Sequence, residues 1–283
     1  MQDILKKIRA ERETFPLSQK AVADYVLAHY KDVPFLAVTA LADKIGVSDT
    51  TIIHFCTRLG FTGYAPFRKA LSAQVQSEIT LYSKLNAQSD ALEQNGLLDQ
   101  VLSDEKQNLE LTLNDPHNRQ SFEKILEMIE SAKTLYICGF RSASMQAEFL
   151  AQSLRMQNRQ VVLLTPGNGD YTDKLSCMRK DDLFFCFVFS RYSGDVVKAL
   201  EWAHREAVPC AAVTDERTSP AFGIADAALL CKMKSSSYQG SYVACSALCN
   251  AIITGTSLKR KKETTQALER LEGLFAEFGT FYR

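Results

Sequence analysis

No stretch of this 283-residue chain is long and apolar enough to span a bilayer, which argues against a helical membrane protein. The opening MQDILKKIRAERE mixes acid and base where a secretory leader would run apolar, so a cytoplasmic protein is expected. Net charge is missing as well, because 33 Lys and Arg balance 33 Asp and Glu. Overall neutrality does not exclude a local basic surface: residues 1–75 hold ten Lys or Arg against seven Asp or Glu. The eight Cys form no CxxC pair; Cys138, Cys186, Cys210 and Cys231 lie in apolar runs and read as buried free thiols. Neither GxGxxG nor GxxxxGK[ST] occurs, so there is no dinucleotide fingerprint and no P-loop, and no cofactor or metal ion is expected. Internal repeats and low-complexity tracts are absent too. What remains, 46% hydrophobic and 23% charged, is ordinary globular composition, and the length suggests two domains.

The most informative stretch is TALADKIGVSDTTIIHFCTRLG, Thr39 to Gly60. Thr39 reads as the N-cap of a short helix with Leu41, Ala42 and Ile45 at helical spacing. Gly46 falls where a chain leaving a helix needs positive φ, and Ser48 reads as the cap of a second helix that Gly60 ends. Helix, tight turn and capped second helix form a helix-turn-helix, whose second helix enters the major groove of duplex DNA. Thr39, Ser48, Thr50, Thr51, His54 and Arg58 are the candidates to face a duplex; Lys44, Arg68 and Lys69 are placed for phosphates. Ile4–Arg12, a helix that Ser18 would cap, and one beginning near Pro66 complete a five-helix bundle over 1–76.

Residues 77–130 are polar and helix-favouring, with Leu81, Leu85, Leu92, Leu97, Leu98, Val101 and Leu102 recurring irregularly. Breaks are expected at Gln88–Asp90 and Asn95–Gly96, and Asp115-Pro116 should end a helix. This segment reads as a solvated or dimer-packing helical linker. From residue 131 to 283 the period changes. Thr134–Cys138, Gln160–Leu164, Leu183–Phe189, Cys210–Thr214 and Ala227–Cys231 are continuous apolar runs of strand length. Amphipathic segments at Ser144–Gln157, Asp195–Ala207 and Ser219–Ile224 separate most of them. That pattern predicts a parallel sheet buried on both faces, with ligands at the strand ends where strand order reverses. The first run enters Gly139-Phe140-Arg141-Ser142-Ala143-Ser144, and the third enters Ser190-Arg191-Tyr192-Ser193-Gly194-Asp195. Both are hydroxyl-rich turns at helix N-termini, where free N–H groups and the helix dipole favour an anion, and Arg141 and Arg191 add charge.

Taken together, IGVSDTTIIHFCTRLGFTGY (Ile45–Tyr64), GFRSAS, FSRYSGD and VTDERTSP resemble the RpiR-type family of bacterial transcriptional regulators, over nearly the whole chain. The resemblance implies a helix-turn-helix domain followed by a flavodoxin-like SIS domain, a five-stranded α/β fold that holds a phosphorylated sugar between the loops after its first and third strands. Carried onto this chain, Ser142, Ser144, Ser190 and Ser193 become the effector contacts, with Gly139, Arg141, Arg191 and Gly194 beside them. His54 stands where the family pattern usually has Arg, and Arg191 where SxSGxT would place a Ser, so one donor is lost and one charge gained. Val196 also lacks the Thr hydroxyl.

The same sheet serves sugar-phosphate isomerases, which need a general base near the substrate carbon. Lys232–Lys262 contains no Asp, Glu or His, so the helix expected over the site, Ser241–Ser257, offers no such group. Glu148, His204, Asp215 and Glu216 are the nominal alternatives; Asp215 and Glu216 read better as residues that orient a turn. The expectation is therefore a regulator and not an enzyme. Its partners would be a double-stranded operator, a phosphosugar and a second copy of the chain, as homodimer or homotetramer, with no membrane involved.

Overall fold

The computed structural model describes residues 4–30, 32–78, 96–165 and 170–282. Leu81, Leu85, Leu92 and the break expected at Gln88–Asp90 lie outside them. The chain forms two compact units, Met1–Ser89 and Asp90–Arg283.

The first unit is all-helical: α1 Ile4–Glu11, α2 Leu17–His29, α3 Val38–Ile45, α4 Asp49–Arg58 and α5 Tyr64–Glu78. Their apolar faces meet in one core around Ile8, Val26, Leu41, Ile52, Phe55 and Phe67. The Tyr64 hydroxyl lies 3.1 Å from the Val33 carbonyl and 3.0 Å from that of Leu36, pinning the single turn that precedes α3. Between α3 and α4, Gly46 takes φ +78, and the amides of Gly46 and Val47 both donate to the Ala42 carbonyl. That left-handed turn is what a glycine permits without strain. Ser48 caps α4 as the sequence suggests, accepting from the Thr51 amide at 3.2 Å. Two expected caps are displaced. Ala37 and Pro16 take the N-cap positions of α3 and α2, so Thr39 and Ser18 sit inside the first turns. In both cases the extended backbone that marks a cap comes two residues earlier than the hydroxyl.

The second unit begins with α6 Leu97–Leu113 and α7 Pro116–Ser131. It continues as β1 Leu135–Cys138, α8 Ser144–Met156, β2 Val161–Leu164, α9 Asp170–Ser176, β3 Leu183–Val188 and α10 Gly194–Arg205. Then come β4 Cys210–Thr214, α11 Pro220–Ile224, β5 Ala227–Leu230, α12 Val243–Lys259 and α13 Lys261–Phe278. All strands are parallel, in the order β2-β1-β3-β4-β5. Alternate residues of the continuous apolar strands serve opposite layers. Leu183, Phe185 and Phe187 face α7, α8 and α12, while Phe184, Cys186 and Val188 face α9, α10 and α11. Strand order reverses between β1 and β3, so the loops that follow these two strands flank one crevice.

The segment expected to be a linker is, from Leu97 onward, built into this unit. Helix α6 stops at Leu113, just before Asp115-Pro116 as expected, and the same pair opens the next helix: the Asp115 side chain accepts from the His117 amide and starts α7, with Pro116 in the first turn. The face that α6 turns inward is polar. Asn108 brackets Lys234, donating to its carbonyl at 2.7 Å and accepting its amide at 3.0 Å. The Thr112 hydroxyl accepts the Lys232 amide at 3.0 Å, and Asp104 accepts from Ser236 at 2.7 Å. On α7, Asn118 does the same for Leu230, at 2.8 and 2.7 Å. These side chains satisfy the open edge of β5 and the chain beyond it, an edge that would otherwise expose unpaired backbone groups. The leucines of α6 consequently point outward, Leu98 and Leu113 being 70% and 68% exposed. Among the described residues, no helix is long and apolar enough to cross a membrane, and no cluster of His, Cys, Asp or Glu suits a metal ion.

Candidate functional site

Among the described residues, each unit presents one place where exposed polar groups gather on its helices. In the first, α4 buries Ile52, Phe55 and Cys56 in the bundle. Its exposed face consists of Thr50, Ile53, His54 and Thr57, which recur at i, i+3, i+4 and i+7. Of the residues expected there, Thr50 and His54 are in place. Ser48 and Thr51 lie at the edge of the face, and their hydroxyls are 2.9 Å apart, so both are tied up in the cap. Arg58 is drawn off it: its guanidinium donates to the Thr14 carbonyl at 2.9 Å and lies over the Phe15 ring, 5.4 Å from the centroid. Lys44 in the last turn of α3, and Arg68 and Lys69 on α5, are exposed, as is Thr39. Ile53 and Thr57 share this exposed face but were not among the expected residues. Their spacing from Thr50 and His54 is the signal that could have found them.

In the second unit, the loop after β1 makes one tight turn at Arg141–Ala143 and then enters α8. Gly139 lets this loop fold onto the helix: a Cβ there would stand 2.6 Å from the Ala143 carbonyl oxygen and 3.0 Å from Ala147 Cβ. The loop after β3 enters α10 with Ser193 as N-cap and Gly194 as its first residue. Arg141 and Arg191 occupy matching places, both exposed and both in the left-handed region, at φ +58 and +68. The two loops are linked by Tyr242, just before α12. Its hydroxyl is 2.8 Å from Ser142 Oγ, and its ring meets Phe189 edge-on at 5.4 Å. Burial pushes the Tyr242 phenol above its ordinary pKa, so it stays protonated at neutral pH.

The four expected serines are not equivalent. Ser190 is anchored from below, its amide donating to Asp215 Oδ2 at 2.8 Å and its hydroxyl to the same oxygen. Asp215 is itself buried, so it orients this loop as the sequence suggests. Ser144 donates to the Arg141 carbonyl at 2.7 Å, closing the first loop. Ser142 shares a hydrogen bond with Tyr242 and could exchange it for a ligand oxygen. Ser193 alone of the four caps its helix without a side-chain bond, leaving the hydroxyl open at the α10 N-terminus. Tyr192, half-buried beside Asp215, has its phenol pushed well up by burial and by that carboxylate. The site thus offers hydroxyls, two guanidinium groups and two helix N-termini, a set that suits a phosphate and its attached polyol.

Among the described residues, three of the nominal bases are engaged or distant. Glu216 is paired with Lys232 at 3.1 Å, and Asp215 is committed to Ser190. His204 lies in the last turn of α10, roughly 15 Å along the helix from the loop at its start.

Comparison with known proteins agrees with this geometry. Residues 2–78 match the model of the helix-turn-helix domain of the rpiR family, and residues 128–254 match the SIS domain. An uncharacterised HTH-type transcriptional regulator of Haemophilus influenzae is 24% identical over 245 residues, covering 84% of this chain and 83% of that one. The sugar isomerase domain of an RpiR transcription factor from Sphaerobacter thermophilus is 27% identical with a TM-score of 0.61, covering 63% of this chain and 99% of that one. The Vibrio vulnificus NanR protein, solved in complex with ManNAc-6P, shares the fold over 98% of this chain and 99% of its own, at 20% identity and TM-score 0.68. With a helix-turn-helix of that type in one unit and a SIS domain in the other, the chain belongs to the RpiR-type family of transcriptional regulators.

Proposed function

We propose that this regulator binds a double-stranded operator through α4 and that a phosphorylated sugar, held between the β1 and β3 loops, changes its affinity for that operator. Thr50, His54 and Thr57 face base edges, and Lys44, Arg68 and Lys69 hold phosphates. The observation that carries the effector half is Ser193, an open hydroxyl at a helix N-terminus beside the switch point of the sheet. Ser142 and Tyr242 supply further hydroxyls, and Arg141 and Arg191 balance the charge. The phosphosugar bound by the fold relative NanR supports the ligand class. The functional unit is a homodimer or homotetramer, in which a second copy covers the outward leucines of α6 and the operator carries two half-sites.

Thermal-shift measurement of the full chain against a panel of hexose and N-acetylhexosamine phosphates tests the site. At least one sugar phosphate raises the unfolding temperature of wild type and not that of Ser193→Ala, while the variant keeps its affinity for the duplex. A panel without any shift, or a variant that responds like wild type, contradicts the assignment.

A further inference from the structure

Resting on the duplex-binding reading above, we propose that Ile53 reads the methyl group of a thymine in the major groove. The other apolar residues of α4, Ile52, Phe55 and Cys56, are fully buried, yet Ile53 is left 42% exposed. A single exposed isoleucine on a protein surface is ordinary. Its place here is what matters: it stands between Thr50 and Thr57 and next to His54, an apolar centre in an otherwise polar face. It also lies in the first half of the helix, the part that a helix-turn-helix brings to base edges.

Docking this face against a duplex takes the Ile53 side chain out of water. The polar edges of the major groove gain nothing from an isoleucine and would lose their own hydration beneath it. Among the four base pairs, one group in that groove is apolar, the C5-methyl of thymine. A β-branched side chain on a helix is already held near one χ1 rotamer, so little conformational freedom is lost on contact. Thr50 and His54 carry donors and acceptors on either side. The geometry therefore assigns a T·A pair to the centre of each half-site, read by hydrophobic contact, with hydrogen-bonded readout flanking it.

The probe is a duplex enriched from a random-sequence pool by binding to the full chain, then resynthesised with deoxyuridine replacing thymidine one position at a time. Each replacement deletes one methyl group and preserves pairing. At one position per half-site, wild type loses roughly fourfold in affinity, the effect of exposing one buried methyl-sized group. Ile53→Ala binds the parent duplex more weakly and is indifferent to that methyl, whereas Ile53→Val keeps the dependence. Circular dichroism melts of both variants stay close to wild type, because Ile53 lies outside the buried core of its unit. If the parent duplex binds but deoxyuridine is silent everywhere, or if Ile53→Ala keeps the wild-type methyl dependence, the assignment is overturned and duplex binding stands. If no duplex is enriched, the binding reading fails and this assignment falls with it.

Discussion

Gly139 shows how much of the effector site rests on single atoms. A methyl group there would press on the Ala143 carbonyl, a backbone atom that can move only if the loop moves. Gly139→Ala should cost roughly 1–3 kcal/mol, as overpacking does, and should abolish ligand binding because the loop carrying Ser142 is displaced. The denaturant midpoint of the second unit and a ligand titration check the two parts. In the first unit, Ser48→Ala removes the one side-chain cap of α4 and should destabilise the bundle by about 1 kcal/mol. The buried thiols make a pH prediction. Burial pushes Cys56, Cys138 and Cys210 from the ordinary 9.0 up to about 12. Below pH 9 these thiols are protonated in both folded and unfolded chain, and stability does not depend on them. Between pH 9 and 12 the unfolded chain releases protons that the folded chain retains, so stability falls as pH rises. Each thiol contributes a slope approaching about 1.4 kcal/mol per pH unit, measurable from denaturant midpoints across that window. At neutral pH, Cys177, the exposed one of the eight, should be the first to react with a thiol reagent.

Among the elements, the strands of the second unit were the most legible in the sequence. Leu183–Val188 is apolar throughout because both of its faces meet helices, and few other environments produce such a run. The Gly46 turn and the Ser48 cap were readable for the same reason: each rests on the local chemistry of one or two residues. Helix α6 was readable as a helix between its two breaks, but its docking was not. Its inward face is Asp104, Asn108 and Thr112, whose partners lie more than a hundred residues away at the edge of the sheet. No local hydrophobic pattern encodes a pairing of that kind. The contact that Arg58 makes was not legible for a related reason, since its partner Thr14 lies 44 residues upstream. The expected serines needed the structure too, because their spacing does not reveal that Asp215 occupies Ser190 while Ser193 stays open. A prediction belongs to this scale. Asn118→Leu keeps the branched shape but strips the Leu230 amide and carbonyl of their partners, so it should cost about 2–4 kcal/mol and lower the denaturant midpoint. An unchanged midpoint would mean that the edge of β5 does not need its cover.

For the whole molecule, net charge is balanced, so in the proposed complex attraction to a duplex comes from the local basic residues of the first unit. Binding should weaken as salt rises, with a slope in log K against log salt that drops by about one when Lys69 becomes Ala. The central claim is that occupancy of the loop crevice in one unit alters the grip of the other on DNA. It is tested most directly by fluorescence anisotropy of the enriched duplex, titrated with the full chain, with and without the sugar phosphate that raises its unfolding temperature. The account predicts a change in duplex Kd of roughly 5- to 150-fold for wild type and none for Ser193→Ala. A duplex Kd that stays the same with a saturating, stabilising ligand would contradict it.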